Sequence, residues 1–295
     1  MDAVISTVGL AKSYHGRPAL LGIDLDVPPG VFGYLGPNGA GKTTTIRLLA
    51  GLMRPTAGRA RVFGLDTVLD RERVQLRIGY LPGMFVAYPR MTGEQYLRYL
   101  AGLRDGVDWS VAEALAKRLD LDLGRRIGAL SHGNKQKVGI VQAFMHRPDL
   151  LILDEPTSGL DPLVQHEFLG MVREARDEGR TVFLSSHVLS EVEAVADTVA
   201  MLRAGRLVVV ESVQHLKARA LRRIDLTFEG PPPLAALRAA TGVRDAHPAD
   251  RTVQVVIEGS AADLLQAAAP HRVSRIVTHE PDLEEIFLDY YQKRA

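Results

Sequence analysis

Gly36-Pro37-Asn38-Gly39-Ala40-Gly41-Lys42-Thr43-Thr44 follows an apolar run, Val31 to Leu35, and precedes a segment in which Ile46, Leu48, Leu49 and Leu52 recur near helical spacing. A G-x-x-x-x-G-K-T stretch held between a strand and a helix reads as a phosphate-binding loop. Its three glycines let successive backbone N–H groups converge on an anion without Cβ obstruction, and the helix that starts there presents its positive end. Residues 36 to 44 are therefore the candidate nucleotide contacts. Lys42 is expected to reach the β and γ phosphates, Thr43 Oγ to ligate Mg²⁺, and Thr44 to add a hydroxyl donor to the phosphates.

Around this loop lie 295 residues, long enough for about two domains, of which 46% are hydrophobic and able to fill their cores. Lys and Arg number 36 against 35 Asp and Glu, so no overall field draws the chain to nucleic acid or to an anionic membrane. The absence of cysteine excludes disulfides and Cys-based zinc sites. Met1-Asp2-Ala3-Val4 carries no basic stretch with an apolar core behind it, and no apolar run approaches the roughly 20 residues of a spanning helix. Any membrane role is expected to come through another polypeptide.

Val4 to Leu10 and Ile23 to Val27 alternate like strands and suggest a small antiparallel sheet beside the nucleotide. Arg59 to Gly64 and Ile78 to Leu81 read as short strands, and Gly93 to Leu103 and Ser110 to Leu119 as helices of an insertion spanning about residues 84–148. Parallel β/α alternation resumes with Leu150 to Leu153, a helix from Pro162 to Glu178, a strand Thr181 to Ser185, a helix Leu189 to Ala196, and strands near Val199 to Leu202 and Leu207 to Val210. Asp161 is placed to cap the helix that Pro162 begins and Gly179 ends. Beyond residue 217 the order is strand, helix, strand, strand, helix, strand, a split β-α-β pattern, with a last helix from Asp282 to Arg294 burying Leu283, Ile286, Phe287 and Tyr290. Residues 217–295 hold 11 basic and 11 acidic side chains, which argues against a nucleic-acid-binding module.

A second chemical element is Leu150-Leu151-Ile152-Leu153-Asp154-Glu155, an apolar strand with two carboxylates at its C-terminal tip, the end at which open α/β sheets bind ligands. Adjacent strand residues point to opposite sides, so the two acids need different roles. Asp154 is the natural Mg²⁺ partner, directly or through water, and Glu155 the candidate to orient or deprotonate an attacking water. A third element is Leu130-Ser131-His132-Gly133-Asn134-Lys135-Gln136-Lys137, where Ser131 is a good N-cap and, with Gly133, forms a second anion site at a helix start. Asn134-Lys135 hints at a guanine-reading N-K-x-D, but Lys137 cannot accept hydrogen bonds from guanine as an Asp would, so GTP is rejected.

In this order the phosphate loop, Leu130 to Asn134, Leu153-Asp154-Glu155-Pro156, Ser158-Gly159-Leu160-Asp161 and Ser185-Ser186-His187 resemble the ATP-binding subunits of ABC transporters over roughly residues 4 to 215. The resemblance implies an α/β fold, a P-loop NTPase core with a small antiparallel β-subdomain and an inserted helical subdomain (1–216), followed by a small α+β domain (217–295). It implies ATP and Mg²⁺ as cofactors, Tyr14 stacking on adenine, Lys42, Glu155 and His187 as catalytic residues, and His187 contacting the γ phosphate and the water. Ser131 and Gly133 would complete the site of the opposite subunit and Asp161 would communicate across the dimer. Two positions depart from the family: Gly83 after Tyr80-Leu81-Pro82, where a glutamine is usual, and His132 in place of a glycine, its side chain expected to face solvent. The lone nucleotide domain with its C-terminal extension looks most like export-type subunits served by separate permease chains, peripheral on the cytoplasmic face of the membrane and paired as homodimers. A soluble ATPase of the same superfamily acting on ribosomes, DNA repair substrates or another protein complex, or a slow regulatory ATP sensor, stays as an alternative.

Overall fold

Val31–Leu35 is buried at all five positions, the pattern of a strand covered on both faces of a parallel sheet. The computed structural model describes residues 3–104, 106–219, 221–279, 283, 284, 286 and 287, in two compact units, Met1–Val210 and Glu211–Ala295. The first contains Ile5–Tyr14 (β1), Arg17–Val27 (β2), Val31–Leu35 (β3), Lys42–Leu49 (α1), Ala57–Val62 (β4), Leu65–Asp66 (β5), Arg71–Arg77 (α2) and Ile78–Leu81 (β6). Gly93–Ala101 (α3), Trp109–Arg118 (α4), His132–Phe144 (α5), Leu150–Asp154 (β7), Pro162–Asp177 (α6), Thr181–Ser186 (β8), Leu189–Glu193 (α7), Thr198–Arg203 (β9) and Arg206–Ser212 (β10) follow, the last crossing the boundary.

Six strands form the main sheet in the order β10-β9-β3-β8-β7-β6. The pairs β3/β8, β3/β9, β7/β8 and β6/β7 are parallel, so the carboxyl ends of β3, β8 and β7 lie side by side. Register places Leu35 opposite Ser186, and Asp154 opposite Ser185. That edge is where the phosphate loop leaves β3. Beneath it Phe32 and Phe183 stack at 5.6 Å and Tyr34 packs on Phe183 at 5.2 Å, in one buried cluster with Ile46, Leu48, Ile152 and Leu202. Each such side chain contributes roughly 1.5–3 kcal/mol by leaving water. Tyr34 Oη is satisfied by Thr45 Oγ1 at 3.1 Å, and burial pushes the phenol well above its ordinary range.

A second, antiparallel sheet orders its strands β2-β1-β4-β5. Helices α3 to α5 occupy the insertion between β6 and β7. Each starts on a side-chain cap. Thr92 and Gln95 form a reciprocal capping box for α3, Asp108 accepts from Ser110 N–H for α4, and Ser131 Oγ accepts from Asn134 N–H at 3.3 Å for α5. A guanidinium ties this insertion to the sheet layer: Arg118 of α4 reaches Glu167 and Glu174 of α6, with Nη1 2.6 Å from Glu174 Oε2. The sequence reading did not find β5 or α2.

The second unit contains Val213–Arg219 (α8), also not foreseen, then Arg222–Phe228 (β11), Leu234–Ala239 (α9), Val243–Ala249 (β12), Thr252–Ile257 (β13), Ala262–Ala268 (α10) and Val273–His279 (β14). Its sheet runs β12-β13-β11-β14 with every pair antiparallel. Hence β11 and β12 run the same way with β13 between them, which is the split β-α-β arrangement. Ile224, Leu226 and Phe228 alternate onto one face and pack with Val253, Val255, Ile257, Leu237 and Leu264. Edge strand β12 carries a bulge between Val243 and Asp245, and Pro248 opposite Val253. Of the helix expected at 282–294, most lies outside the described residues; Leu283 and Ile286 are buried.

Candidate functional site

The loop after β3 turns on Gly41, whose φ of 113° suits glycine and whose Cβ, if present, would sit 2.7 Å from Leu20 Cδ2 and 2.8 Å from the Ala19 carbonyl oxygen. Pro37, Asn38 and Gly39 are exposed and Ala40 is buried. The helix begins at Lys42, within the G-x-x-x-x-G-K-T stretch itself and ahead of the apolar spacing at Ile46 to Leu52. The Lys42 side chain folds back inside the loop, 6% exposed, and its Nζ donates to the Gly36 carbonyl at 2.6 Å. Thr43 is exposed and Thr44 half-buried. At the side of this mouth Tyr14 donates its hydroxyl to Met53 Sδ at 3.0 Å and lies 3.5 Å from Thr44 Oγ1, with Lys12 Nζ 5.5 Å from the ring centre.

The side chains of the two acids point apart, but strand alternation is not the reason. Strand β7 ends at Asp154, and Glu155 leaves it in the left-handed region at φ 49°. For a residue other than glycine that conformation costs about 1–2 kcal/mol. Asp154 is fully buried: Oδ1 accepts from Ser185 Oγ at 2.6 Å, and Oδ2 has no hydrogen-bond partner among the described residues. A buried carboxylate oxygen left open in this way suits a cation or a cation-bound water. Beside it passes the loop at Gly83, where a Cβ would come within 3.0 Å of Oδ2. Burial and then the Asp154 charge push the Tyr80 phenol above its ordinary range.

Glu155 reaches in the other direction. Its Oε1 lies 3.2 Å from Lys42 Nζ, and its Oε2 lies 2.6 Å from His187 Nδ1 and accepts the His187 backbone N–H at 3.3 Å. Lys42, Glu155 and His187 thus form one row along the carboxyl edge of the sheet, an ion pair followed by a hydrogen bond.

Ser131, Gly133 and Asp161 stand together at a separate recess of about 470 Å³, lined also by Asp122, Arg125 and Lys137. Gly133 approaches Gly159 so closely that a Cβ would fall 2.4 Å from the Gly159 carbonyl oxygen. His132 is exposed, as its sequence position suggested, but its ring lies over Gly159. Asp161 Oδ1 accepts from the N–H groups of Leu163 and Val164 and caps α6. A further recess of about 570 Å³, lined by Leu52, Leu76, Leu100, Leu103 and His146 among others, carries none of the expected site residues.

Two residues near Glu155 escaped the sequence reading. Gln136 is fully buried, and its Nε2 donates to the carbonyls of Glu155 at 3.3 Å and Pro156 at 3.1 Å. Its position was legible: Gln136, Ile140 and Ala143 share one buried stripe at helical spacing. Glu191 accepts from Thr157 Oγ1 at 2.6 Å and Ser186 Oγ at 3.4 Å. Burial holds its carboxyl above the usual range despite those hydrogen bonds, and the nearby Glu155 acts in the same direction.

Residues 20–158 match the family described as ABC transporter. The bacitracin transport ATP-binding protein BcrA of Enterococcus faecalis is 34% identical over 99% of this chain and 96% of its own length. The chain belongs to the ATP-binding subunits of ABC transporters. The daunorubicin/doxorubicin resistance ATP-binding protein DrrA of Streptomyces peucetius is 39% identical over 72% of this chain and 67% of that protein. Among solved structures, an ATP-binding subunit of an ABC transporter superposes with a TM-score of 0.67 at 31% identity, covering 72% of this chain and 92% of its own. The dimeric cassette MJ0796 in a post-hydrolysis state bound to ADP and Pi shares the fold, with a TM-score of 0.65 at 21% identity over 71% of this chain and 98% of its own. As a member of this family the chain binds ATP and is an ATPase. Similarity to the Enterococcus protein extends through the second unit as well as the first.

Proposed function

We propose that this chain is the motor of an exporter. Two copies close around two ATP molecules and drive a small molecule, drug or lipid-like substrate through a separate integral membrane permease. Among the described residues no helix is long and apolar enough to cross a membrane, which fits a subunit held at the cytoplasmic face by its permease. The bacitracin and daunorubicin/doxorubicin relatives favour an export substrate of that kind. The observation that carries the reading is the row Lys42 Nζ, Glu155, His187 Nδ1, with separations of 3.2 Å and 2.6 Å.

In this mechanism the backbone N–H groups of residues 36–44 and Lys42 hold the β and γ phosphates. Tyr14, half-open beside the loop, stacks on the adenine, an aromatic contact worth about 1 kcal/mol. Asp154 and Thr43 are the residues that would hold Mg²⁺, and the open Oδ2 of Asp154 fits that role. When bound, the ion neutralises charge developing on the phosphates. Glu155 lies against Lys42; a triphosphate drawn to the same cation would free the carboxylate to orient and deprotonate water for in-line attack. His187 keeps hold of Glu155 and faces the γ phosphate. Ser131 and Gly133 of the second copy close the other side of the same phosphate, and Asp161 lies at the joint between copies.

Glu155→Gln keeps the shape of the side chain but cannot take a proton. Phosphate release should fall about 10²- to 10⁴-fold, while ATP affinity measured by calorimetry is retained and the ATP-bound dimer persists on gel filtration. Turnover at the parent rate would reject the role given to Glu155.

A further inference from the structure

The kink at Glu155 is held at its own N–H and carbonyl and at the carbonyl that follows. Its N–H donates to the Ser185 carbonyl at 3.1 Å and meets Ser185 Oγ at 3.2 Å. Its carbonyl accepts from Ser158 N–H at 3.2 Å and from Gln136 Nε2 at 3.3 Å, and the next carbonyl, that of Pro156, accepts from the same Nε2 at 3.1 Å. Pro156 brings no N–H of its own to the turn. Gln136 is thus a side chain from another element that binds two consecutive carbonyls of the turn carrying Glu155.

Its placement is costly. Gln136 lies in the buried face of α5 with no exposed surface, and its Oε1 has no partner among the described residues. A methionine or leucine would fill this volume without burying an unpaired oxygen. What the amide supplies that an apolar side chain cannot is the pair of N–H bonds to residues 155 and 156. An otherwise unfavourable left-handed backbone persists where its surroundings over-determine it, and a catalytic group displaced by about 1 Å loses much of its effect.

We infer that Gln136 is a positioning residue for the reaction: by gripping the Glu155 and Pro156 carbonyls it fixes the left-handed turn that aims the Glu155 carboxylate. The inference rests on Glu155 acting on water, as proposed above. The grip comes from the helix that Ser131 caps, five residues or about 7.5 Å away along the axis. One rigid element therefore joins the turn under Glu155 to the segment that faces the second copy.

Gln136→Met in the full chain keeps the volume and removes both donors. Turnover at saturating ATP should fall about 10- to 100-fold, with the ATP dissociation constant within about twofold of the parent and the melting temperature not lowered, since an unpaired buried oxygen is removed as well. Made on top of Glu155→Gln, the same change should lower the residual turnover no further, because two residues acting through one group are not additive. If the Met variant fails to fold, Gln136→Asn, whose amide is one methylene too short to reach, carries the same expectations. Parent-like kcat in a folded Gln136 variant, or a loss that multiplies fully with that of Glu155→Gln, overturns the inference. A Glu155→Gln chain that hydrolyses ATP normally would instead remove the reading beneath it, so the two failures are told apart.

Discussion

Glu155 and Ser131 sit at the two chemical ends of the first unit, and their surroundings differ. At the Glu155 end the functional groups are bound to one another inside the chain: Lys42 is buried against Gly36 and Glu155, Asp154 is buried against Ser185, and Gln136 braces the turn between them. At the Ser131 end, Ser131 and Asp161 are exposed on an open recess, where their side chains serve as local caps of α5 and α6. The first end is tied together by contacts within the chain. The second offers an exposed hydroxyl at a helix start, which under the proposed function meets nucleotide held by another copy. That difference is what a reaction chamber divided between two copies requires.

The sharpest way to break the comparison is Lys42→Ala. It removes the cation at the centre of the organised end and should weaken ATP binding about 100-fold by calorimetry; unchanged affinity would show that the loop does not hold the phosphates. Ser131→Ala probes the open end. An isolated copy should bind ATP as before, whereas turnover of the pair should drop about 10-fold, and loss of the cap should cost about 1 kcal/mol in denaturant melts. Loss of ATP affinity in the isolated copy would mean that both ends serve one nucleotide within a single chain.

The smallest expected effect concerns a half-buried group serving neither end. His146 lies against the Ile78 carbonyl, 3.1 Å from Nε2, and burial, followed by the Arg104 guanidinium, lowers its pKa to about 4. Unfolded, the imidazole takes up its proton near pH 6.5. Between those values the unfolded chain binds more protons than the folded one. The contribution to stability is therefore complete above pH 6.5 and is lost as pH falls toward 4. The melting temperature should decline over that window, less steeply in His146→Gln, with ATP affinity at pH 7 the same in both. An identical slope in the variant would place the acid sensitivity elsewhere.

How far the sequence revealed this arrangement depends on the element. Strands β3 and β7 are short, wholly apolar runs ending in chemistry, and α6 announces itself with Asp161, Pro162 and Gly179, so periodicity and caps sufficed. Helix α2 offers seven residues with one buried apolar side chain, Val74, and β5 only two residues; neither is long enough to show a period. Lys42, Asp154, Glu155 and His187 were named from motifs, yet the opposite directions in which Asp154 and Glu155 reach come from a backbone turn at Glu155 that no propensity marks. Gln136 was hidden by its neighbours. In the polar run Asn134-Lys135-Gln136-Lys137 it reads as solvated, and only its register with Ile140 and Ala143 places it inside.

One detail of the second unit bears on how the chain can be handled. Edge strands invite a neighbouring molecule to extend their ladder, and the outer side of β12 is interrupted by the Val243/Asp245 bulge and by Pro248, which has no hydrogen to donate. Concentrated preparations should therefore resist strand-to-strand aggregation through β12, and replacing Pro248 with valine would make that margin sticky.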